Sequence, residues 1–333
     1  MKAIIPLAGK GTRLRPITHH TPKALVQVAG RPALGFILDA LIEGGVDEMV
    51  FIVGHLREDV EAWIGEHYPE LRTHYVFQEV QDGTAGAVAL AEPYVDEEVL
   101  IVFADAIMEV DYGAIAELDA ADSGLIWALE VEDYYKYGVI LTDETGAMER
   151  IVEKPSEPIS KLPNIGLYYI RDYQLLFEGI HHTLDAGLGP SGEFFLTDAF
   201  QYMVDHGARI IPAPVNGFFD CGKPETLLDT NEHLLLEGQA GIDSTANVDG
   251  AEIVQPVRIE ADVVVKGGRI GPNVTLGAGT TVDGCEVERS LVGAGSVLAR
   301  SKLINSILGA RVRVEDFSGS AIVTDDSVLT GRD

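Results

Sequence analysis

The residues best suited to chemistry lie close to the start of the chain. Gly9 and Gly11 flank Lys10 directly after the apolar run at residues 3–7, Thr12-Arg13-Leu14-Arg15-Pro16 follows, and Pro22-Lys23 arrives ten residues after Arg13. A glycine-rich turn leaving a strand exposes backbone N–H groups that can hold phosphate oxygens, and neighbouring Arg and Lys side chains add charge-assisted bonds. The chemistry offered is therefore the binding and neutralisation of a phosphorylated ligand. Two familiar phosphate loops fail on spacing. A dinucleotide fingerprint needs a third glycine where Leu14 stands, and a Walker-type loop needs Gly-Lys-Ser/Thr after four spacers, which the segment lacks. A lone Gly-x-Gly also serves as an ordinary turn between strand and helix; the full string with Arg13, Pro16 and Pro22-Lys23 is far more specific.

The elements that must carry this loop are strands alternating with helices. Strand-like runs at residues 3–7, 48–53, 74–77 and 99–103 alternate with helical patterns at 35–43 and 60–67 and a Gly-Ala stretch at 83–91. A further helix is expected over 112–119, and strands over 125–129, 139–141 and 148–152. This alternation implies βαβ units and a mostly parallel sheet in one α/β domain over residues 1–236. Residues 237–250, rich in Gly, Ala, Asp and Ser, read as a linker. From 251 to 333 the texture changes. Ile270, Leu276 and Val282, then Val292 and Leu298, then Leu308 and Val314 recur six apart with small residues between them. That period marks a parallel β-helix of hexapeptide type, against the plainer alternative of a β-meander with glycine turns. The stretches 285–291 and 301–307 read as interruptions of the repeat.

The 333 residues include 53 Asp+Glu against 24 Lys+Arg, a formal charge of −29. Such a chain repels polyphosphate, so nucleic acids and anionic membrane surfaces are excluded as partners. No apolar run approaches the roughly 18 residues of a membrane helix, and the first residues lack a secretory pattern, so a cytoplasmic protein is expected. A self-repelling acidic surface is tolerated best where salt shortens the Debye length to about 3 Å at 1 M, which predicts a halophilic, salt-adapted protein; ordinary acidic solubility is the alternative. Cys221 and Cys285 form no Cys-x-x-Cys and are expected to be reduced, packed thiols, and the nine His make no metal-ligand spacing.

Gly9-x-Gly11-Thr12-Arg13 with Pro22-Lys23 resembles the N-terminal signature of the sugar-1-phosphate nucleotidyltransferases, also called nucleotide-sugar pyrophosphorylases. The resemblance covers the whole chain. The opening Ile5-Pro6-Leu7-Ala8-Gly9 is similar to the bacterial uridylyltransferase variant, whereas thymidylyltransferases carry Gly where Ala8 stands, which leaves the base open. The implied fold is a Rossmann-like, mostly parallel α/β nucleotidyltransferase domain followed by a short left-handed parallel β-helix. The implied reaction is in-line attack of a sugar-1-phosphate on the α-phosphorus of a nucleoside triphosphate (NTP), releasing pyrophosphate. Such chemistry needs positioning, charge neutralisation and Mg²⁺.

The resemblance also assigns residues. Asp220, in Gly217-Phe218-Phe219-Asp220-Cys221-Gly222, and Asp105, ending Val99-Leu100-Ile101-Val102-Phe103-Ala104-Asp105, match the metal-binding aspartates, with Ala104 replacing the usual glycine. A lone acid at a strand end also serves as a helix N-cap. Arg13 would stabilise the leaving pyrophosphate, Lys23 the α-phosphate region, and Lys154 of Glu153-Lys154-Pro155 the incoming sugar phosphate. Gly9, Gly11 and Thr12 would hold the nucleotide, with Gln78 and Gly83 reading the base edge shared by thymine and uracil. Gly138 and Gly166 would let backbone approach the sugar, and Glu153, Asn164 and Glu193 would bond its hydroxyls, though Glu193 could equally cap a helix. Glucose-1-phosphate with dTTP or UTP is the first expectation, and mannose-1-phosphate guanylyltransfer the second. A catalytically silent regulatory subunit is disfavoured because Arg13, Lys23, Asp105, Lys154 and Asp220 are all present; acyl transfer is disfavoured because no His follows His233. A homo-oligomer is expected, since β-helix ends need a cap or a neighbour.

Overall fold

The computed structural model describes residues 1–129, 138–153, 155, 157, 159–189 and 192–331. They form two compact units, one of Met1–Gly9 and Ile37–Phe218, the other of Lys10–Phe36 and Phe219–Asp333.

The first unit is built on a seven-stranded sheet. Its strands are β1 (Lys2–Pro6), β2 (Glu48–Val53), β3 (Arg72–Phe77), β4 (Val99–Val102), β5 (Gly124–Ala128), β6 (Asn164–Ile170) and β7 (Ile210–Pro214), in the order β7-β5-β6-β4-β1-β2-β3. All neighbours are parallel except β6, which runs antiparallel to both β4 and β5. Strands buried on both faces read as unbroken apolar runs. Met49 to Val53 in β2 and Val99 to Val102 in β4 do so, and all are buried. Helices α1 (Ala33–Glu43), α2 (Arg57–His67), α3 (Thr84–Ala89), α4 (Tyr173–Asp185) and α5 (Leu196–Asp205) follow their strands. In α1, Leu34, Ile37, Leu38 and Leu41 keep the helical spacing of a buried stripe. In one core cluster, residues of α3, α4 and α5 such as Val88, Ile180, Phe200 and Met203 join Ile4, Ile52, Ile101 and Tyr168 of the sheet. Gly138–Thr142 and Met148–Glu153 pair separately as an antiparallel ribbon.

The helix expected over 112–119 does not form. Only the short 3₁₀ turn Tyr112–Ile115 exists, capped by Asp111, whose side chain accepts the Gly113 N–H. Asp122 then accepts the Asp119 N–H at 2.9 Å. Aspartate side chains here offer the backbone an alternative to the helical ladder, and they win.

The second unit begins with the glycine string itself, in three 3₁₀ turns (Thr12–Leu14, Ile17–His19, Lys23–Leu25) and a tight hairpin of Gln27–Val28 with Arg31–Pro32. Helix α6 (Pro224–Leu234) and a parallel β-helix complete it. Val265 stands over Val282, Val282 over Leu298, Leu298 over Val314 and Val314 over Leu329. The coils thus take 17, 16, 16 and 15 residues, fewer than three full hexapeptides. All seven periodic aliphatics, from Ile270 to Val314, are buried. The stretches 285–291 and 301–307 do not interrupt the coil. Cys285, Val287, Leu291, Leu303 and Ile307 are buried and the ladder continues through them, while residues at positive φ such as Arg289, Arg300 and Asn305 shorten the corners. Ser290, Ser296, Ser301 and Ser306 each accept a backbone N–H of the next coil, which satisfies polar groups that the corners would otherwise orphan. Cys221 and Cys285 are both buried thiols.

Candidate active site

In the second unit the glycine string is shaped by what it must pass. Gly11 has φ +59°, and a Cβ there would fall 2.9 Å from Thr18 Cγ2 and 3.0 Å from Lys23 Cβ. Glycine alone allows both the left-handed turn and the contact with the lysine stem. The Thr18 hydroxyl locks the turn by donating to the Gly11 carbonyl at 2.7 Å. A Cβ on Gly9 would meet nothing within 4 Å, and Thr12 and Arg13 are exposed, so this edge is open to a ligand.

Asp220 ends the strand Gly217–Asp220 and the chain turns at Gly222. A Cβ on Gly222 would stand 2.8 Å from Asp220 Oδ1, 3.2 Å from Arg13 Nη2 and 3.4 Å from Lys23 Nζ. Three residues chosen on sequence therefore converge on one point where the chain carries no side chain. Two cations brought together in this way suit a polyphosphate. Asp220 Oδ1 accepts the Gly222 N–H at 2.7 Å and Oδ2 the Thr226 hydroxyl at 3.1 Å, which leaves each oxygen further lone pairs. Half-buried, oriented carboxylate oxygens of this kind fit Mg²⁺, which takes one or two carboxylates and leaves the remaining positions to phosphate and water. Among the described residues no group of three or more His, Cys, Asp and Glu side chains forms a metal cage.

The first unit assembles a second constellation. Asn164, at the start of β6, donates through Nδ2 to the Gly138 carbonyl at 2.8 Å and accepts the Tyr168 hydroxyl through Oδ1. A Cβ on Gly138 would lie 2.4 Å from Asn164 Nδ2, 2.9 Å from Glu153 Oε2 and 3.0 Å from Thr197 Cγ2. Gly138, Glu153 and Asn164 are thus brought together, with Thr197 and Tyr168 beside them. Burial pushes the Tyr168 hydroxyl far above its ordinary pKa, and the negative charges of Glu153 and Asp105 add to the shift. Gly166, at φ +84°, lies against Phe103, whose ring a Cβ would approach to 3.1 Å.

Gln78 is buried, and its amide nitrogen donates to Asp82 Oδ1 at 3.2 Å. Gly83, at φ +126°, pairs with the Phe194 backbone, where a Cβ would fall 2.3 Å from the Phe194 oxygen. Glu193, one residue before, is exposed and lines a cavity of ≈ 280 Å³ with His182, Asp198, Gln201 and Tyr202. Lys154 lies outside the described residues. His19, His20, His181 and His182 are exposed. Asp82, Tyr168, Thr197 and Thr226 were not assigned from the sequence. Nothing in spacing marks Asp82 or Thr226.

The nucleotidyl transferase family model matches residues 2–237. The chain belongs to the nucleotidyl transferase family. Its relatives put it among the sugar-1-phosphate nucleotidyltransferases that the glycine string resembles. The low-salt glycan biosynthesis nucleotidyltransferase Agl11 of Haloferax volcanii is 32% identical across all of this chain and 97% of its own length. The glucose-1-phosphate thymidylyltransferase of Streptomyces griseus is 28% identical over 94% of this chain and 93% of its own. The UTP--glucose-1-phosphate uridylyltransferase AglF of Haloferax volcanii is 29% identical over 71% of this chain and 98% of its own. A crystal structure of UDP-glucose pyrophosphorylase complexed with UDP-glucose has the same fold over 71% of this chain and 98% of that one, at TM-score 0.63 and 23% identity. Among the described residues of this nucleotidyltransferase, no helix is long and apolar enough to cross a membrane.

Proposed function

We propose that this enzyme transfers the nucleotidyl group of dTTP or UTP to glucose-1-phosphate, giving a nucleotide-sugar and pyrophosphate. The observation that carries the reading is the convergence of Arg13, Lys23 and Asp220 on Gly222 within the family's own signature. In this reading Arg13 neutralises the charge that develops on the leaving pyrophosphate, and Lys23 does the same at the α-phosphate. Both act as fixed charges on a transition state that needs little covalent help. Mg²⁺, held by Asp220 and Asp105, would supply charge neutralisation on the phosphate oxygens. Gly9, Gly11 and Thr12 hold the nucleotide, and Gln78 with the Gly83 backbone reads its base. Lys154 holds the sugar phosphate, while Gly138, Glu153, Asn164, Gly166 and Glu193 receive the sugar. Relatives whose names specify uridylyl and thymidylyl transfer to glucose-1-phosphate support this choice of substrates. A supply of nucleoside triphosphate makes the cytoplasm the natural setting.

The test is pyrophosphate release with Mg²⁺ across dTTP, UTP, GTP, CTP and ATP against glucose-1-phosphate, mannose-1-phosphate and N-acetylglucosamine-1-phosphate, in low and in molar KCl. Release with dTTP or UTP and glucose-1-phosphate is expected. Release only with GTP and mannose-1-phosphate would replace the substrate assignment. Silence everywhere with nucleotide-sugar still bound would make the chain a regulatory subunit.

A further inference from the structure

Asn231 is fully buried on α6, and its side chain is engaged on both ends by different parts of the second unit. Its Oδ1 accepts the Ala29 N–H at 3.0 Å and the Thr275 hydroxyl at 2.7 Å, and its Nδ2 donates to the Asn273 carbonyl at 3.3 Å. Ala29 is the first residue of the two-residue turn in the hairpin Gln27–Val28 with Arg31–Pro32, and it holds φ +49°. Its N–H points away from the ladder, so the Asn231 oxygen supplies its partner. The following residue, Gly30, lies against the β-helix side chains Arg258 and Glu260, since a Cβ there would stand 3.2 Å from Arg258 Nε and closer still to Glu260. The hairpin tip is thus pinned on α6 and on the first coils of the β-helix.

Both elements that meet at Asn231 follow shortly after a residue of the candidate site. The hairpin continues directly from the turn Lys23–Leu25, in which Val26 N–H bonds the Lys23 carbonyl at 3.2 Å. Helix α6 begins four residues after Asp220, and Thr226 and Thr230 of its first two turns donate to the Asp220 carboxylate and carbonyl. Two hydrogen bonds, from the Ala29 N–H and the Thr275 hydroxyl, meet at Asn231 Oδ1 and so join the hairpin, α6 and the β-helix at a single atom.

We propose that Asn231, held by Thr275 of the β-helix, is a positioning residue that fixes Lys23 relative to Asp220. The β-helix then serves the transfer reaction as the rigid backing of this half of the site. The inference rests on the proposed activity, deepens it, and is separable from it. Asn231 touches no reacting atom; it acts through the hairpin and α6. A displacement of about 1 Å far from the chemistry can cost about 100-fold in rate, which sets the scale of the effect.

The variants are Asn231→Leu, which orphans the Ala29 N–H, Thr275→Val, which removes one donor and keeps the shape, and Thr275→Ser, which retains the hydroxyl. Ser296→Ala, at a buried β-helix corner away from the hairpin, is the stability control. Asn231→Leu and Thr275→Val are expected to lower kcat by about 10- to 100-fold and to raise the Mg²⁺ concentration for half-maximal rate, with the sugar-phosphate KM within about 2-fold. Thr275→Ser should restore both, and Ser296→Ala should lose melting temperature without moving either. Amide hydrogen exchange gives a readout independent of turnover: Asn231→Leu should lose protection at residues 23–29 and 220–226 while the later coils keep theirs. An active wild type with Asn231→Leu and Thr275→Val retaining kcat and Mg²⁺ dependence would overturn the positioning role alone. Loss of protection confined to Ala29 would overturn it even if the wild type proved inactive, a result that separately counts against the proposed activity. Should Asn231→Leu fail to fold, Thr275→Val against Thr275→Ser decides.

Discussion

Thr226, in the first turn of α6, donates its hydroxyl to Asp220 Oδ2 at 3.1 Å, while the Gly222 N–H donates to Oδ1 at 2.7 Å. The carboxylate is therefore held at both oxygens by the residues that follow it. Partners of this kind orient a metal ligand, and their loss commonly costs about 10- to 100-fold in metal affinity or activity. Thr226→Val should reduce kcat by that order and shift the Mg²⁺ titration to higher concentration, while Thr226→Ser stays close to wild type. An unchanged Mg²⁺ titration in Thr226→Val would remove this hydroxyl from the account.

Gly138 is bare because Asn164 needs the space. A methyl group there would stand 2.4 Å from Asn164 Nδ2, and Asn164 is tied on its other side to the buried Tyr168 hydroxyl. The amide cannot move without breaking buried hydrogen bonds, and overpacking costs about 1–3 kcal/mol. Gly138→Ala should raise the KM for the sugar phosphate by about 10-fold or more, since roughly 1.4 kcal/mol is tenfold, and leave the nucleotide KM nearly unchanged. Steady-state kinetics with each substrate varied in turn reads the difference. A shift in the nucleotide KM instead would assign this pocket to the other substrate.

Glu48 lies at the start of β2, where its carboxylate meets Lys2 Nζ at 3.3 Å, Arg72 Nη1 at 2.9 Å and His74 Nε2 at 3.0 Å. Burial works to raise its pKa, but the His74 and Lys2 hydrogen bonds and the Lys2 and Arg72 charges outweigh it and hold the carboxyl below its ordinary value of 4.5. A carboxylate with a lowered folded-state pKa stabilises the fold above its unfolded pKa and loses that contribution as pH falls through the folded value. Glu48→Gln should therefore melt about 2–6 °C below wild type at pH 7, with the gap closing as pH drops from 5 towards 3. Thermal melts across that range test it; a gap that persists at pH 3 would mean the loss is one of packing and not of charge.

Where sequence reading succeeded, a backbone or a period imposed the residue types. Residues 48–53 emerged with the right bounds because a strand buried on both faces must be continuously apolar. Gly11 was legible because its left-handed turn against Lys23 tolerates little else. The stacked aliphatics of the β-helix were legible for the same reason, but its coil lengths were not, since corner residues such as Arg289 and Arg300 adopt positive φ without being glycine. The false helix at 112–119 had acceptable spacing and lost to Asp111 and Asp122, whose side chains compete locally. Asn231 and Thr226 were beyond reach. The first bonds a residue 202 positions away, and the second gains its role only once α6 places it under Asp220.

The charge of −29 leaves a prediction about salt. Exposed pairs such as Arg300 with Asp316 and Arg311 with Asp326 contribute little to stability and are weakened further by screening. The unpaired excess of carboxylates repels itself, and screening weakens that repulsion as well. The two effects oppose, and 53 acidic against 24 basic residues means that most negative charges have no cation to lose, so relief of repulsion should win. The melting temperature should rise from low to molar KCl, by roughly 2–4 °C for each kcal/mol of repulsion relieved. NaCl should act alike if screening is the cause. Pyrophosphate release should peak at the salt concentrations that stabilise the fold. Flat or falling stability over that range would mean that the local ion pairs outweigh the net charge and that the acidic surface serves ordinary solubility.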